Sequence, residues 1–179
     1  MRTARFLPLL GAVVIAVPAG AQSQGDSSLP PPAASRDSKN DEAAIHRWVN
    51  RWAKAFRAHD LDGIMALYAP EVVAYDVVPP LRFSGREAYR KDYSEFLSQY
   101  DGPIDIEIRE LRILVDGNLA YAAGLERIGG VLKDGQRSDV WVRFTSIFRQ
   151  RGGRWLDIHD HVSVPADFAS GKAVLDLKP

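Results

Sequence analysis

Three turn signals, Asp116-Gly117-Asn118, Lys133-Asp134-Gly135 and Arg151-Gly152-Gly153, cut the C-terminal part of this chain into four strand-like segments. The segments cover about 104–115, 119–131, 137–149 and 154–164, and each turn carries the Gly, Asn or Asp that tight hairpins need. Strands joined by such short connections must run antiparallel. The pattern ahead of them is helical. Ile45, Trp48, Val49, Trp52 and Phe56 recur at three- and four-residue spacing and predict a helix from Asp41 to about Ala58, capped by Asn40 or Asp41. Helices first and then a long meander means an α+β domain with its helices on one sheet face.

Between the two patterns, Asp60 can cap a short second helix that presents Ile64, Leu67 and Tyr68 and ends at Pro70. A strand, Val72-Val73-Ala74-Tyr75-Asp76-Val77-Val78, follows and breaks at Pro79-Pro80. Ser84-Gly85-Arg86-Glu87 has the spacing of a capping box. It opens a third helix with Tyr89, Tyr93, Phe96, Leu97 and Tyr100 on one face.

The N-terminus differs in kind. Arg2 and Arg5, an apolar run over 6–17 and Ala19-Gly20-Ala21 form the three parts of a secretory signal peptide, so residues 1–21 are expected to be removed. Residues 22–40 include Pro30-Pro31-Pro32 and few large apolar groups, which predicts a disordered linker. That leaves a domain over 41–165 and a C-terminal tail over 166–179 of the 179 residues. The expected location is periplasmic or secreted, with no stable membrane span after cleavage. The chain has no cysteine, so an exported fold must be held by its core alone. Its 23 basic and 23 acidic side chains form no basic stripe, which argues against a nucleic-acid partner.

Asp76 is the best single candidate for chemistry. A carboxylate in an apolar strand must find a partner, reach water or take up a proton, because desolvation disfavours its charged form. A second cluster lies in the last strand, where alternation puts Trp155, Asp157, His159 and His161 on one face. The strand before it divides into Trp141, Arg143, Thr145 and Ile147 against Val142, Phe144, Ser146 and Phe148. With Arg151-Gly152-Gly153 as the turn, Thr145 falls opposite His159 and Arg143 opposite His161.

The run from Val49 to Ala69, through His59-Asp60-Leu61-Asp62-Gly63, resembles the opening of ketosteroid-isomerase-like and SnoaL-like proteins of the nuclear-transport-factor-2-like group. The similarity continues through Ala74-Tyr75-Asp76 and Phe83-Ser84-Gly85. It implies a cone-shaped barrel, with a curved antiparallel sheet wrapped around three N-terminal helices and a homodimer formed through the outer sheet face. It also implies that Asp76 is a general base. The two oxyanion donors of the isomerases, a tyrosine and a protonated aspartate, fall at Trp52 and Thr145. One such donor is worth about 3 kcal/mol, so their replacement removes the basis for steroid isomerisation.

The resemblance puts Thr145 inside the cone, and by register His159, His161 and Arg143 join it. With Trp52, Tyr75 and Trp141 they make the expected wall of a pocket for a small apolar or aromatic molecule, with Asp76, His159 and His161 as its acid/base groups. His159-x-His161 also has the spacing of a two-ligand metal strand, but a third ligand among Asp76, Asp139 and Asp157 is not fixed by spacing. No metal and no cofactor is expected. Gly129-Gly130 reads as a strand kink, and there is no G-x-S-x-G. Three functions remain open: an isomerase or cyclase, a non-catalytic small-molecule-binding module, and a dimeric structural domain.

Overall fold

The computed structural model describes residues 36–179. The expected signal peptide and most of the expected linker lie outside the described residues. Helix α1 (Arg36–Arg57) starts ahead of the apolar stripe, so residues 36–40 are helical rather than linker. Its inward face buries Ile45, Trp48, Val49, Trp52 and Phe56. Asp41 lies inside this helix and does not cap it. Instead its Oδ1 accepts from Gln150 Nε2 at 3.1 Å and Trp155 Nε1 at 3.2 Å, tying the helix to the sheet.

Helix α2 (Leu61–Met65) is capped as expected, with Asp60 Oδ1 accepting from the Gly63 N–H at 2.9 Å. Pro70 does not end a helix. It lies within strand β1 (Tyr68–Tyr75), in a stretch between Tyr68 and Val73 where the ladder to its neighbour is interrupted and no N–H is needed. β1 ends at Tyr75, which leaves Asp76 just past the strand. Ser84 belongs to β2 (Phe83–Ser84), paired with Val73. Helix α3 (Arg86–Leu97) therefore has Gly85 as its N-cap, without a side-chain hydrogen bond, and the capping box does not form.

The meander is observed as β3 (Asp105–Asp116), β4 (Leu119–Val131), β5 (Arg137–Arg151) and β6 (Arg154–Ser163), all antiparallel in succession. β1 joins the free edge of β6 in parallel, giving one sheet ordered β2-β1-β6-β5-β4-β3. The sheet is thus mixed and open rather than a closed antiparallel barrel. A bulge in β3 between Arg109 and Arg112, with Glu110 at φ 54°, re-aims that strand. Gly124 faces the bulge, where a Cβ would meet the Arg109 carbonyl oxygen at 2.9 Å. At the Gly129-Gly130 kink a Cβ on Gly130 would meet the Tyr100 ring at 2.8 Å. The tail over 166–179 adds a small hairpin, β7 (Ala166–Asp167) with β8 (Lys172–Ala173).

Two local features of β6 decide which side chains face the helices. The turn uses only Gly152 and Gly153, both at positive φ, so Arg151 pairs with Arg154. Further on Phe148 pairs with Asp157 but Ile147 with His159, so Ile158 is an extra residue. Asp157 and Asp160 both face inward as a result, while His159 and His161 face outward. Thr145 pairs with His161 and Arg143 with Ser163, so Thr145 and the histidines do share a face. It is the outer one. The buried half of β5 is Val142, Phe144, Ser146 and Phe148, because three large apolar groups gain more from meeting the helices than Trp141, Arg143 and Thr145 would.

Candidate functional site

Helix α3 and the concave face of the sheet enclose an open cavity of about 700 Å³. Its aromatic wall comes from Trp52 and Phe56 of α1 and from Tyr93, Phe96 and Tyr100 at and beyond α3. Val77, Val78, Pro79 and Pro80 form one rim, and Leu175 of the tail forms another. Its charged groups are four acids, Asp76, Asp92, Glu95 and Glu126, and one base. Lys91 is the basic residue of the lining, and its Nζ sits 3.8 Å from Glu95 Oε1, both side chains largely in solvent.

Asp76 accepts from the backbone N–H of Val77 at 2.6 Å, and Tyr89 Oη lies 3.4 Å from its other oxygen. Burial pushes its pKa up, offset in part by the hydrogen bond from Val77. Asp92, one turn before Phe96, lines the same cavity as Asp76. Its pKa is pushed up to about 7 by burial and by the charges of Asp76 and Glu95. Two carboxyls whose charges interact titrate as a pair rather than one by one. Asp92 is the member whose proton affinity is raised toward neutral pH.

Tyr89 connects this pair to a second, interior carboxyl. Its Oη donates to Asp160 Oδ2 at 2.9 Å, closer than its approach to Asp76. Asp160 also accepts from Tyr68 Oη at 3.1 Å and from Ser146 Oγ at 3.0 Å. Because Tyr68 spends its proton on Asp160, the 2.8 Å contact between Tyr68 and Tyr93 must be donated by Tyr93. Tyr93 in turn accepts from Trp52 Nε1 at 3.0 Å. The result is one directed chain, Trp52 to Tyr93 to Tyr68 to Asp160. Burial raises the pKa of Asp160, and its three donors oppose that rise. The tyrosines are held well above their ordinary value, so they remain donors at any physiological pH.

Two further acids are buried with less support. Glu126 on β4 is 6% exposed, and its Oε1 has no hydrogen-bond partner. Asp157 is 0% exposed, and neither of its oxygens makes a well-formed hydrogen bond. Burial pushes the proton affinity of both well above the ordinary carboxylate range.

Of the residues expected at the site, Asp76 and Trp52 line the cavity. The Trp52 N–H is already committed to Tyr93 and is not a free donor. His159, His161, Tyr75, Thr145, Arg143 and Trp141 all lie on the outer face. There Tyr75 packs edge-on against His159 and His161, at ring distances of 4.9 and 5.7 Å. The Arg109 guanidinium covers Trp141 at 4.9 Å. The imidazoles therefore cannot partner Asp76 across the cavity, and Thr145 supplies no oxyanion donor. No third metal ligand gathers at His159 and His161 among the described residues. Asp139 is engaged by Arg127 at 2.6 Å and Asp157 points the other way.

Sequence reasoning missed Asp92, Glu126 and Asp160. Glu126 carried a legible signal, an acid in register with Ala120, Ala122 and Ile128, which is the criterion that selected Asp76. Asp160 carried the same signal, alternating with Ile158 and Val162 on the apolar face of its strand, and the extra residue Ile158 brings Asp157 to that face as well.

Comparison with known proteins places this arrangement. The SnoaL-like domain model matches residues 45–167. The chain belongs to the SnoaL-like family. A solved nuclear-transport-factor-2-like protein of unknown function from Pseudomonas putida KT2440 is 36% identical, with a TM-score of 0.73 over 79% of this chain and 99% of that one. A nuclear-transport-factor-2-like superfamily protein from Salmonella enterica is 20% identical, with a TM-score of 0.65 over 76% of this chain and 99% of that one. A ketosteroid isomerase-like protein from Erwinia carotovora is 17% identical, with a TM-score of 0.60 over 69% and 95%. The last two likenesses are of fold alone. No curated protein matches.

Proposed function

We propose that this SnoaL-like protein is an exported acid/base enzyme of the isomerase or cyclase kind, acting on a small, largely apolar molecule. The pairing of Asp76 with Asp92 at an aromatic-walled cavity carries the reading. Asp76 removes a proton from the bound molecule, and Asp92, whose proton affinity is raised toward neutral pH, returns one. Tyr89 stands between Asp76 and Asp160. The pH–rate profile expected from such a pair rises as Asp76 ionises and falls above about 7 as Asp92 loses its proton. In the same proposal residues 1–21 direct export to the periplasm or the medium, and the outer face bearing Tyr75, His159 and His161 pairs with a second copy.

A second reading, binding without turnover, is favoured by one observation. The two positions that the resemblance matches to oxyanion donors supply none, since the Trp52 N–H is engaged by Tyr93 and Thr145 is outside. A generic carbon-acid probe separates the two. With 5-nitrobenzisoxazole, whose ring opens once a base removes its C–H proton, turnover should exceed that of acetate in buffer, and Asp76→Asn should lower it about a hundredfold. A probe that binds but opens no faster than in acetate would establish the binding module instead.

A further inference from the structure

The lining of the cavity is unbalanced in charge. Asp76 and Asp92 sit together at one side, and Glu126 stands at the floor, where it borders both the main cavity and a void of about 40 Å³ beneath α1. Asp160 borders that same void. Each of these acids raises the proton affinity of another: Asp76 and Asp160 act on Glu126, and Asp76 acts on Asp92. No cation inside the cavity answers them. Lys91 is 80% exposed and is turned to Glu95 at the rim.

Glu126 distinguishes this lining from an ordinary acidic surface. It is nine-tenths buried, its Oε1 lacks any partner, and no protein donor stands near enough to supply one. A buried polar group left unpaired costs on the order of 1–3 kcal/mol, so it persists where something outside the chain completes it. Around it stand the π faces and edges of Trp52, Phe56, Tyr93, Phe96 and Tyr100. Aromatic faces together with carboxyls are the two surfaces that attract an organic cation and give nothing to an anion. A neutral carbonyl would accept one proton from one of these acids and leave their mutual repulsion in place.

We infer that the cavity takes an organic cation, an ammonium group carried on an apolar or aromatic body, with Glu126 as the anchor at its floor. The inference rests on the reading of this cavity as the functional site and narrows its substrate class. An ammonium placed beside Asp76, Asp92 and Glu126 donates to the unpartnered carboxyl of Glu126 and favours the ionised form that burial and the neighbouring acids oppose, while the aromatic wall covers its apolar body.

The test compares three probes of nearly equal shape at pH 7: 2-phenylethylamine as the cation, 2-phenylethanol as the neutral compound and phenylacetate as the anion. Binding is followed by NMR titration of the indole N–H signal of Trp52, a residue that lines the same cavity. The amine should bind about tenfold more tightly than the alcohol, and the carboxylate should bind weakest. Glu126→Gln should weaken the amine more than the alcohol and so reduce the ratio between them severalfold. The inference is overturned if the alcohol or the carboxylate matches the amine, if none of the three gives a saturable shift, or if Glu126→Gln leaves the ratio intact. The wild-type ranking decides the matter even if the variant does not fold. Charge preference is an equilibrium property of compounds that do not turn over, so it can fail while Asp76-dependent proton abstraction survives, and the reverse.

Discussion

Thr145 and Ser146 are neighbours in sequence, yet they belong to regions of opposite character. The inner face of β5 and β6 presents Phe144, Ser146, Phe148, Asp157 and Asp160 to the helices, and its acids are pushed toward neutrality by burial. The outer face presents Thr145, His159 and His161 with Tyr75, and its ion pairs, Arg151 with Glu71 and Arg127 with Asp139, hold their acids below the ordinary range. Polarity alone does not mark a site. Ser146 and Asp160 on the inner face are joined by a hydrogen bond beside a void, while the outer groups meet solvent or each other.

The largest break in this comparison should come from packing. Phe148 is 0% exposed and meets the Trp48 ring at 4.8 Å. Phe148→Ala should cost about 3–5 kcal/mol through lost burial and the space left behind. Thr145→Ala on the other face should stay within about 0.5 kcal/mol. Urea unfolding of the two variants checks the pair. Comparable losses would mean that the faces are assigned the wrong way round.

A smaller effect, with a definite sign, comes from the acids. Asp92 is raised from 3.8 to about 7, and Asp76, Asp157, Asp160 and Glu126 are raised as well. Such groups keep their protons in the folded chain at a pH where the unfolded chain has lost them. Their contribution to stability is therefore full below the unfolded values, near 4, and is lost as pH rises through the folded values. The melting temperature should fall between pH 4 and about 8, and Asp92→Asn should flatten the part of that fall below about 7. The outer acids, Glu71 and Asp139, run in the opposite sense, losing their contribution as pH drops below their ordinary values, but they are exposed and screened. Thermal melts by circular dichroism across this range separate the faces. A stability that rises with pH would show that the inner acids are ionised.

The main elements of the fold could be read from the chain because they rest on repeated local signals. The stripe from Ile45 to Phe56 and three Gly-bearing turns fix the helix and the meander. The parallel pairing of β1 with β6 could not be read, since it joins segments far apart in sequence and leaves no local mark. The site was half legible. Asp76 stood out as an acid among apolar neighbours, and Glu126 satisfied the same criterion unnoticed. The histidines were misplaced for a specific reason. Likeness to a family assigned Thr145 to the interior, although the apolar half of β5, Val142, Phe144 and Phe148, already identified the opposite face as buried. Amphipathic patterning measures burial directly, whereas the alignment of one polar position tolerates a shift of a single residue, and in a strand one residue reverses the face.

The smallest expected effect is therefore the most discriminating one. His159 and His161 reach Asp76 neither directly nor through the cavity, so His159→Ala and His161→Ala should leave turnover of the benzisoxazole probe, and its pH profile, within about threefold of the wild type. Their rings pack against Tyr75, so a modest loss of stability, about 0.5 kcal/mol, is expected from each. The two observables must be measured together. Loss of activity in step with loss of fold would reflect packing alone. Loss of activity with the fold intact, and a pH limb shifted toward neutrality, would return the imidazoles to the catalytic group and require the outer face, in company with a second copy, to be part of the site.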